Sequence, residues 1–216
     1  MKPEPKQERA RIKRAAIVAA ASDEFGEHGY SQTTAKSIAV RAGVATGSFY
    51  QYFENKDEVL LVIAQQRFIA VAEHLPDPVR IDAQGGRHLV DLQTLFRSVL
   101  NFIYDLHARD ARLHEVLEQR RSVDPALNAL MGERESMLLV RTEQFVGLFV
   151  VANPKAIAFS LFAMAEGLVH RHVFHRTDVT KAELIDCGSD MLSAYFDRLQ
   201  LTAENERPNK TIGEGS

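Results

Sequence analysis

The sequence predicts an all-α protein, and three observations support this prediction. Apolar residues recur at the spacing of three and four positions that an amphipathic helix requires. Strand-like alternation is absent, and proline and glycine fall between the helical segments. The 216 residues are 45% hydrophobic and 25% charged, as in ordinary soluble globular proteins.

The first predicted helix covers residues 8–28. Its apolar stripe consists of Ile17, Ala20, Ala21 and Phe25. Gly29 supplies a C-terminal stop. Thr33 and Thr34 can cap a short second helix, which stops at Gly43.

Between Gly43 and Asn55 there is room for only about two helical turns. Asn55 can cap the helix that follows, with Glu58 as the second member of a capping box. Two short helices joined by a tight turn describe a helix-turn-helix, whose second helix enters the major groove of DNA. The alternative is a small helical subdomain whose tyrosines only cover its core.

The remainder of the chain predicts further helices. Residues 75–86, LPDPVRIDAQGG, indicate a loop. Helices are predicted after it at about 88–108, 111–122, 125–150, 154–175 and 181–201. Asp124 and Asn153 precede prolines as cap residues, and Thr180 with Glu183 forms a capping box.

The domain prediction follows from these elements. Residues 1–56 are predicted to form a helix-turn-helix domain, residues 57–203 a larger helical domain, to which the family resemblance described below assigns effector binding and dimerisation, and residues 204–216 a disordered tail.

In the second short helix, apolar and polar residues separate onto two sides. Val44, Phe49 and Phe53 can face inward, together with Ile38 and Phe25. The outward residues are Thr46, Gly47, Ser48, Tyr50, Gln51 and Tyr52. A tyrosine hydroxyl can reach a phosphate oxygen, and a glycine lets the backbone approach DNA closely.

The charge distribution agrees with a DNA-facing N-terminal end. The net charge is −3, but residues 1–56 contain nine lysines and arginines against six acidic residues, a balance of +3. The other residues therefore carry −6. Lys56 adds a positive charge beside the predicted recognition helix.

Residues 10–60 resemble the DNA-binding domain of the tetracycline-repressor (TetR) family. The resemblance is carried by the stretch FGEHGYSQTTAKSIAVRAGVATGSFYQYFENKDEVL, residues 25–60. It implies a homodimer that binds a palindromic operator and represses transcription, with a C-terminal helical domain that holds a pocket for a small-molecule effector. Ala45 departs from the serine that the family often has there, which removes a helix cap unless Thr46 compensates.

The resemblance also assigns the DNA contacts. They are Thr34, Ala35 and Lys36 at the start of one helix, Thr46, Gly47, Ser48, Tyr50, Gln51 and Tyr52 in the recognition helix, and Lys56 as the phosphate lysine.

A largely apolar ligand site is predicted in the C-terminal domain. The alternative is that the aromatic residues there only pack in the core. The candidate lining residues are Phe96, Leu100, Ile103, His107, Arg120, Phe145, Phe149, Phe162 and Glu166.

The last two predicted helices carry more apolar surface than one face of a monomer needs, which predicts a four-helix bundle between two copies. The interface residues are Leu161, Ala165, Leu168, His172, Leu184, Gly188, Met191, Leu192 and Tyr195.

No metal, cofactor or enzymatic activity is expected, because no catalytic or metal-binding motif occurs. His170 and His172 point roughly 200° apart on a helix, which is poor for a metal. Cys187 is expected to be a small packed residue, and a single cysteine favours a reducing, cytoplasmic compartment. No segment resembles a membrane span. An architectural DNA-binding protein and a ligand-independent regulator or activator remain as alternatives.

Overall fold

The computed structural model describes residues 7–83, 90–149 and 152–205. Within these ranges the protein is helical and contains no strand, which confirms the all-α prediction. The helices are α1 (Glu8–Gln32), α2 (Ala35–Arg41), α3 (Thr46–Tyr52), α4 (Lys56–His74), α5 (Pro78–Ala83), α6 (Leu92–Arg109), α7 (Ala111–Arg121), α8 (Pro125–Gly147), α9 (Pro154–Phe174) and α10 (Lys181–Asn205).

Several helix starts follow the sequence signals. The Asp124 carboxylate accepts hydrogen bonds from the backbone N–H groups of residues 126 and 127, as a cap of α8 should. Thr180 and Glu183 form the predicted capping box at α10. The Asn55 side chain accepts from the Glu58 backbone N–H at 2.9 Å. The Glu58 carboxylate accepts from the N–H of Glu54 rather than that of Asn55.

Other local predictions were wrong. The predicted loop after residue 74 contains the short helix α5, whose first turn is capped by the Asp77 carboxylate. Asn153 makes no side-chain cap, because its backbone has the left-handed conformation, with φ at 54°. Helix α10 continues to Asn205, so the predicted disordered tail starts inside it, and residues 206–216 lie outside the described residues.

The chain forms two compact units. The first comprises Met1–His74 and Asp105–Met137, and the second comprises Leu75–Tyr104 and Leu138–Ser216. This grouping follows spatial contacts rather than chain order, and the division at residue 56 stays a prediction.

Each unit has its own apolar core. The core of the first unit includes Ile17, Phe25, Ile38, Phe49, Phe53, Leu60, Leu113 and Leu127. The core of the second includes Leu92, Phe96, Leu100, Phe145, Phe149, Ile185, Leu192 and Phe196. Helices α2 and α3 belong to the first unit, so its core supports the predicted DNA-binding surface.

Candidate nucleic-acid interface

A glycine turn joins α2 to α3. Gly43 has a φ of 67°, a left-handed backbone conformation that residues with a Cβ rarely adopt. The Val44 N–H then donates to the Ala39 carbonyl at 3.0 Å, which closes the turn. The two short helices and this turn have the helix-turn-helix arrangement that the sequence predicted.

The inner side of α3 is buried as predicted. Phe49 and Phe53 are fully buried, as are Phe25 and Ile38, and Val44 is partly buried against the same core. The ring centroids of Phe49 and Phe53 lie 5.8 Å apart. Because these rings hold one side of α3, the opposite side is directed to solvent.

The outer side of α3 carries the predicted contact residues, with two differences in exposure. Thr46, Gly47 and Gln51 are exposed, and Tyr50 has 51% of its surface exposed. Ser48 and Tyr52 are half-buried, and Tyr52 packs against the core. The ring of Tyr52 therefore also serves the fold of this unit.

No neighbouring atom of the chain excludes a side chain at position 47. A Cβ built at this position meets no heavy atom within 4 Å. Its helical backbone is also compatible with any other residue. The absence of a side chain at position 47 therefore leaves open space on the exposed side of α3.

The start of α3 lacks a side-chain cap. Ala45 is the N-cap residue and makes no side-chain hydrogen bond, as the substitution of a serine by alanine predicts. The Ser48 N–H donates instead to the Ala45 carbonyl at 2.8 Å.

The start of α2 is capped completely. The Thr34 hydroxyl accepts from the Ser37 N–H, and the Ser37 hydroxyl accepts from the Thr34 N–H, each at 3.0 Å. Thr33 is not a second cap, because it is fully buried and its hydroxyl donates to the Gly29 carbonyl at 2.8 Å. Ala35 is half-buried, and Lys36 is exposed beside the cap.

Lys56 has contacts within the chain that the sequence did not indicate. Its ammonium donates to the carbonyls of Tyr30 and Thr33 at 2.7 and 2.8 Å and lies 4.0 Å from the Tyr30 ring centroid. Burial lowers the pKa of Lys56, and the neighbouring Asp57 opposes this change. The ammonium thus connects the start of α4 to the last turn of α1 and to the segment between α1 and α2.

Arg41 holds α2 against α1 through two glutamates. Its guanidinium donates to Glu24 at 2.6 Å and forms a bidentate pair with Glu27. Burial raises the pKa of the Glu24 carboxyl, but hydrogen bonds from Ser37 and Arg41 outweigh burial and lower it overall. The sequence does not indicate these contacts, because Glu24 and Glu27 precede Arg41 by 17 and 14 residues.

Arg120, predicted to line a ligand site, lies in the first unit beside the helix-turn-helix. Its guanidinium carbon is 4.0 Å from the Tyr30 ring centroid, and its Nη2 is 3.5 Å from the Asp57 carboxylate and 3.8 Å from that of Asp124. The Tyr30 hydroxyl donates to the same Asp57 carboxylate. Arg120 therefore makes its contacts with residues of the first unit, namely Tyr30, Asp57 and Asp124.

The other predicted ligand residues are divided between the two units. Phe96, Leu100, Phe145 and Phe149 share the buried core of the second unit. Its central ring is Phe196, which lies 5.5 Å from both Phe96 and Phe149 and which the sequence analysis missed. Placement in this core agrees with the alternative of simple core packing.

The remaining candidates lie elsewhere. Ile103 is buried, while Phe162 and Glu166 are half-buried. His107 belongs to the first unit, is buried, and has its ring 4.5 Å from that of His114. Because the nine residues are divided between the two units, a single ligand site lined by all of them stays a prediction.

The predicted interface residues divide into exposed and buried sets. Met191 and Tyr195 are exposed on α10, at 56% and 36%. Leu161 and Leu192 are buried in the core of their own chain. Gly188 also packs within the chain, since a Cβ there would lie 3.1 Å from a methyl carbon of Leu100.

His172 forms hydrogen bonds within its own chain, and its place at a dimer interface stays a prediction, whereas Cys187 differs from expectation. Both ring nitrogens of His172 are used within the chain, Nδ1 with the Tyr104 hydroxyl at 3.1 Å and Nε2 with the Val179 carbonyl at 2.7 Å. Cys187 is exposed, so the prediction of a packed cysteine was wrong.

An apolar groove of about 650 Å³ lies between α9 and α10 in the second unit. Its apolar lining consists mainly of Ile157, Leu161, Met164, Met191, Leu192 and Tyr195. Ile157 and Met164 were not among the predicted ligand or interface residues, and Met164 is 39% exposed.

Of the helices that the structure describes, none is long and apolar enough to cross a membrane.

The helix-turn-helix fold and the polar outer side of α3 define a helix-turn-helix DNA-binding protein. Residues 17–63 match the model of the bacterial regulatory proteins of the tetR family. The repressor BepR of Brucella suis is 30% identical over 207 residues, which cover 88% of this chain and 93% of BepR. The regulator TtgR of Pseudomonas putida is 27% identical, with 86% of this chain and 94% of TtgR covered.

A solved structure shows the same fold. A TetR-family regulator from Mesorhizobium loti superimposes with a TM-score of 0.69 at 22% identity, covering 88% of this chain and 98% of that one. The chain therefore belongs to the TetR family of DNA-binding transcriptional regulators.

Proposed function

We propose that this protein is a homodimeric repressor that binds a palindromic operator and is released from it by a small, largely apolar ligand. The observation that carries the proposal is the exposed side of α3, where Thr46, Tyr50 and Gln51 are exposed and a Cβ at Gly47 would meet no atom within 4 Å. Polar groups of this kind read base edges and bind phosphates. Nothing in the proposal requires catalysis, and we assign the chain no enzymatic role.

The test uses two glycine-to-alanine variants. Gly47→Ala should weaken binding to an operator duplex selected from a random library by the wild-type protein, because a methyl group holds the α3 backbone away from DNA. Gly132→Ala in α8 is the matched control, since a Cβ there also meets no atom within 4 Å. Both variants should keep or gain about 0.4–1 kcal/mol of stability.

The outcome separates recognition from folding. Operator affinity that falls for Gly47→Ala alone, at a melting temperature that is unchanged or raised, supports α3 as the recognition helix. Equal affinity for the wild type and both variants refutes it, as does the failure of the wild-type protein to enrich any duplex.

Dimerisation through α9 and α10 is the second element of the proposal. The apolar groove with exposed Met191 and Tyr195 supports it, because large apolar patches are normally covered by a partner. Met191→Asp combined with Tyr195→Asp should yield folded monomers, since a charge in an apolar seam is costly. Leu161 and Leu192 are unsuitable for this test because they support the fold of each chain.

Phe159→Asp is the control for the dimer test. Phe159 is 64% exposed on α9 but does not line the groove. Sedimentation should show a dimer for the wild type and for this control, and a monomer for the double variant. A dimer in all three proteins would place the interface elsewhere.

The ligand response is the third element. A dimer reads successive major grooves only when its recognition helices are about 34–36 Å apart or a multiple of that distance. A ligand that prefers another spacing lowers operator affinity, and operator lowers ligand affinity by the same factor. Apolar compounds that raise the melting temperature provide the probes. Equal affinity of every such compound for free and operator-bound protein would refute the response.

A further inference from the structure

Helix α1 begins beside the end of the recognition helix. Residues 8–14, ERARIKR, contain four basic residues and one acidic residue. The guanidinium carbon of Arg14 lies 5.1 Å from the ring centroid of Phe53, the residue that directly follows α3. Arg14 is buried in this contact. The first turns of α1 therefore lie next to the C-terminal end of α3.

Helical geometry places Arg11 on the same side as Arg14. Residues three positions apart are neighbours on a helix, so Arg11 continues the side that contacts Phe53 by one turn. Lys13 is two positions from Arg11 and lies about 200° away around the helix. The Arg11 side chain is 65% exposed, and its Nη1 is 3.7 Å from the exposed carboxylate of Glu8.

The predicted DNA surface has few cations of its own. Among its ten residues, Lys36 and Lys56 are basic, and the Lys56 ammonium already binds two carbonyls. Arg41 on α2 is held by two glutamates. Binding to DNA depends strongly on the neutralisation of phosphates by lysine and arginine. A second source of positive charge beside α3 meets this requirement.

We propose that Arg11 is a further DNA-contact residue, which donates to a backbone phosphate outside the base pairs that α3 reads. The proposal rests on the proposed function, because it assumes that α3 lies on an operator. On binding, the Arg11 guanidinium exchanges its exposed contact with Glu8 for a phosphate. A phosphate contact adds affinity without changing which bases are preferred.

The experiment measures the salt dependence of operator binding. The probe is the duplex selected by the wild-type protein, and affinity is measured over a range of KCl concentrations. Each phosphate contact contributes about 0.9 to the slope of log affinity against log salt. Arg11→Gln should therefore reduce the slope of a dimer by about 1.8 and weaken binding about 30-fold at 0.15 M KCl.

Two variants are matched controls. Lys13→Gln makes the same change in net charge on the same helix but on another side, so its slope should stay close to that of the wild type. Arg11→Lys keeps the charge and should keep most of the slope. Shortening the duplex from both ends should abolish the difference between wild type and Arg11→Gln once the contacted phosphate is removed.

The outcomes discriminate between the two proposals. A slope unchanged in Arg11→Gln, or lowered equally by Lys13→Gln, overturns the Arg11 contact while operator binding by the wild type stands. A wild-type protein that selects no duplex overturns the proposed function itself. An altered sequence preference in Arg11→Gln would also contradict a phosphate contact.

Discussion

The two units of this protein bury aromatic residues equally well but expose different chemistry. In the first unit, Phe49 is fully buried and the other side of its helix is largely polar. In the second unit, Phe196 is fully buried, yet Met191 and Tyr195 on the same helix are exposed. A polar exposed side is stable in water, whereas an apolar one is stabilised by a partner.

The units also differ in how charged groups connect their helices. In the first unit, Arg41, Lys56 and Arg120 each link segments that are far apart in sequence, and all three links meet around the helix-turn-helix. In the second unit, Arg97 pairs with Asp186 at an exposed position. Arg141 of the second unit also donates to the carbonyls of Leu75 and Pro76. Directional contacts therefore connect distant segments in both units, and in the first unit they lie around the helix-turn-helix.

The largest expected effect comes from a pair of phenylalanines, one from each unit. Phe49→Ala should lower the free energy of unfolding by about 3–5 kcal/mol, because it leaves a cavity in a closed core. Phe159→Ala, at a position that is 64% exposed, should change it by no more than about 0.5 kcal/mol. Urea unfolding of both variants checks this, and similar losses would contradict the difference in burial between the two side chains.

The next effect concerns the polar side of α3. Tyr50→Phe should weaken operator binding by about 1.5–3 kcal/mol, because it removes a hydroxyl that donates to phosphate but keeps the ring. The ring packs edge-on against Phe49, with centroids 5.3 Å apart, so thermal stability should persist. Titration at fixed salt checks the effect, and unchanged affinity would assign Tyr50 to packing alone.

A smaller effect tests the contact between α1 and α2. Glu24→Gln should lower the free energy of unfolding at pH 7 by about 1 kcal/mol, since it weakens a charged hydrogen bond from Arg41. The pKa of Glu24 is lowered from its ordinary 4.5. Its stabilising contribution is therefore present above pH 4.5 and is lost as pH falls through the lower folded value.

The pH dependence supplies the control for Glu24→Gln. The difference in stability between wild type and variant should shrink as the pH falls from 7 through 4 to lower values. Urea unfolding at each pH measures it. A difference that grows in acid would mean that the carboxylate is not stabilised by its partners.

The smallest effect concerns Tyr30. Tyr30→Phe should lower the free energy of unfolding by about 1 kcal/mol or less, because the hydrogen bond to Asp57 is partly exposed to solvent. Burial and this hydrogen bond raise the pKa of Tyr30 from 10.0 to about 12. Wild-type stability should therefore fall between pH 10 and 12 more steeply than that of the variant.

Urea unfolding of both proteins across that range measures the Tyr30 effect. Other groups that titrate there are common to both chains and cancel in the difference. A difference that does not change with pH would show that the hydroxyl makes no special contact in the folded state.

Local signals predicted the helices and the inner side of α3. Thr34, Asp124 and Thr180 cap helices as expected, because a cap involves only residues two or three positions apart. Phe49 and Phe53 are buried as their helical spacing indicates. The sequence could not show that Asn153 adopts a left-handed backbone, since that depends on how α8 and α9 are joined.

Capping and periodicity patterns could not predict contacts between residues that are far apart in the sequence. The sequence by itself determined an all-α chain and a short helix α3 with one apolar and one polar side, because periodicity and capping are local properties. Only the tertiary structure decided that Arg120 contacts Tyr30 and Asp57. It also decided that Leu192 is buried in the core of the second unit while Met191 is exposed. The physical reason is that helix periodicity identifies an apolar side but not the surface that covers it, which depends on the packing of residues far apart in the chain.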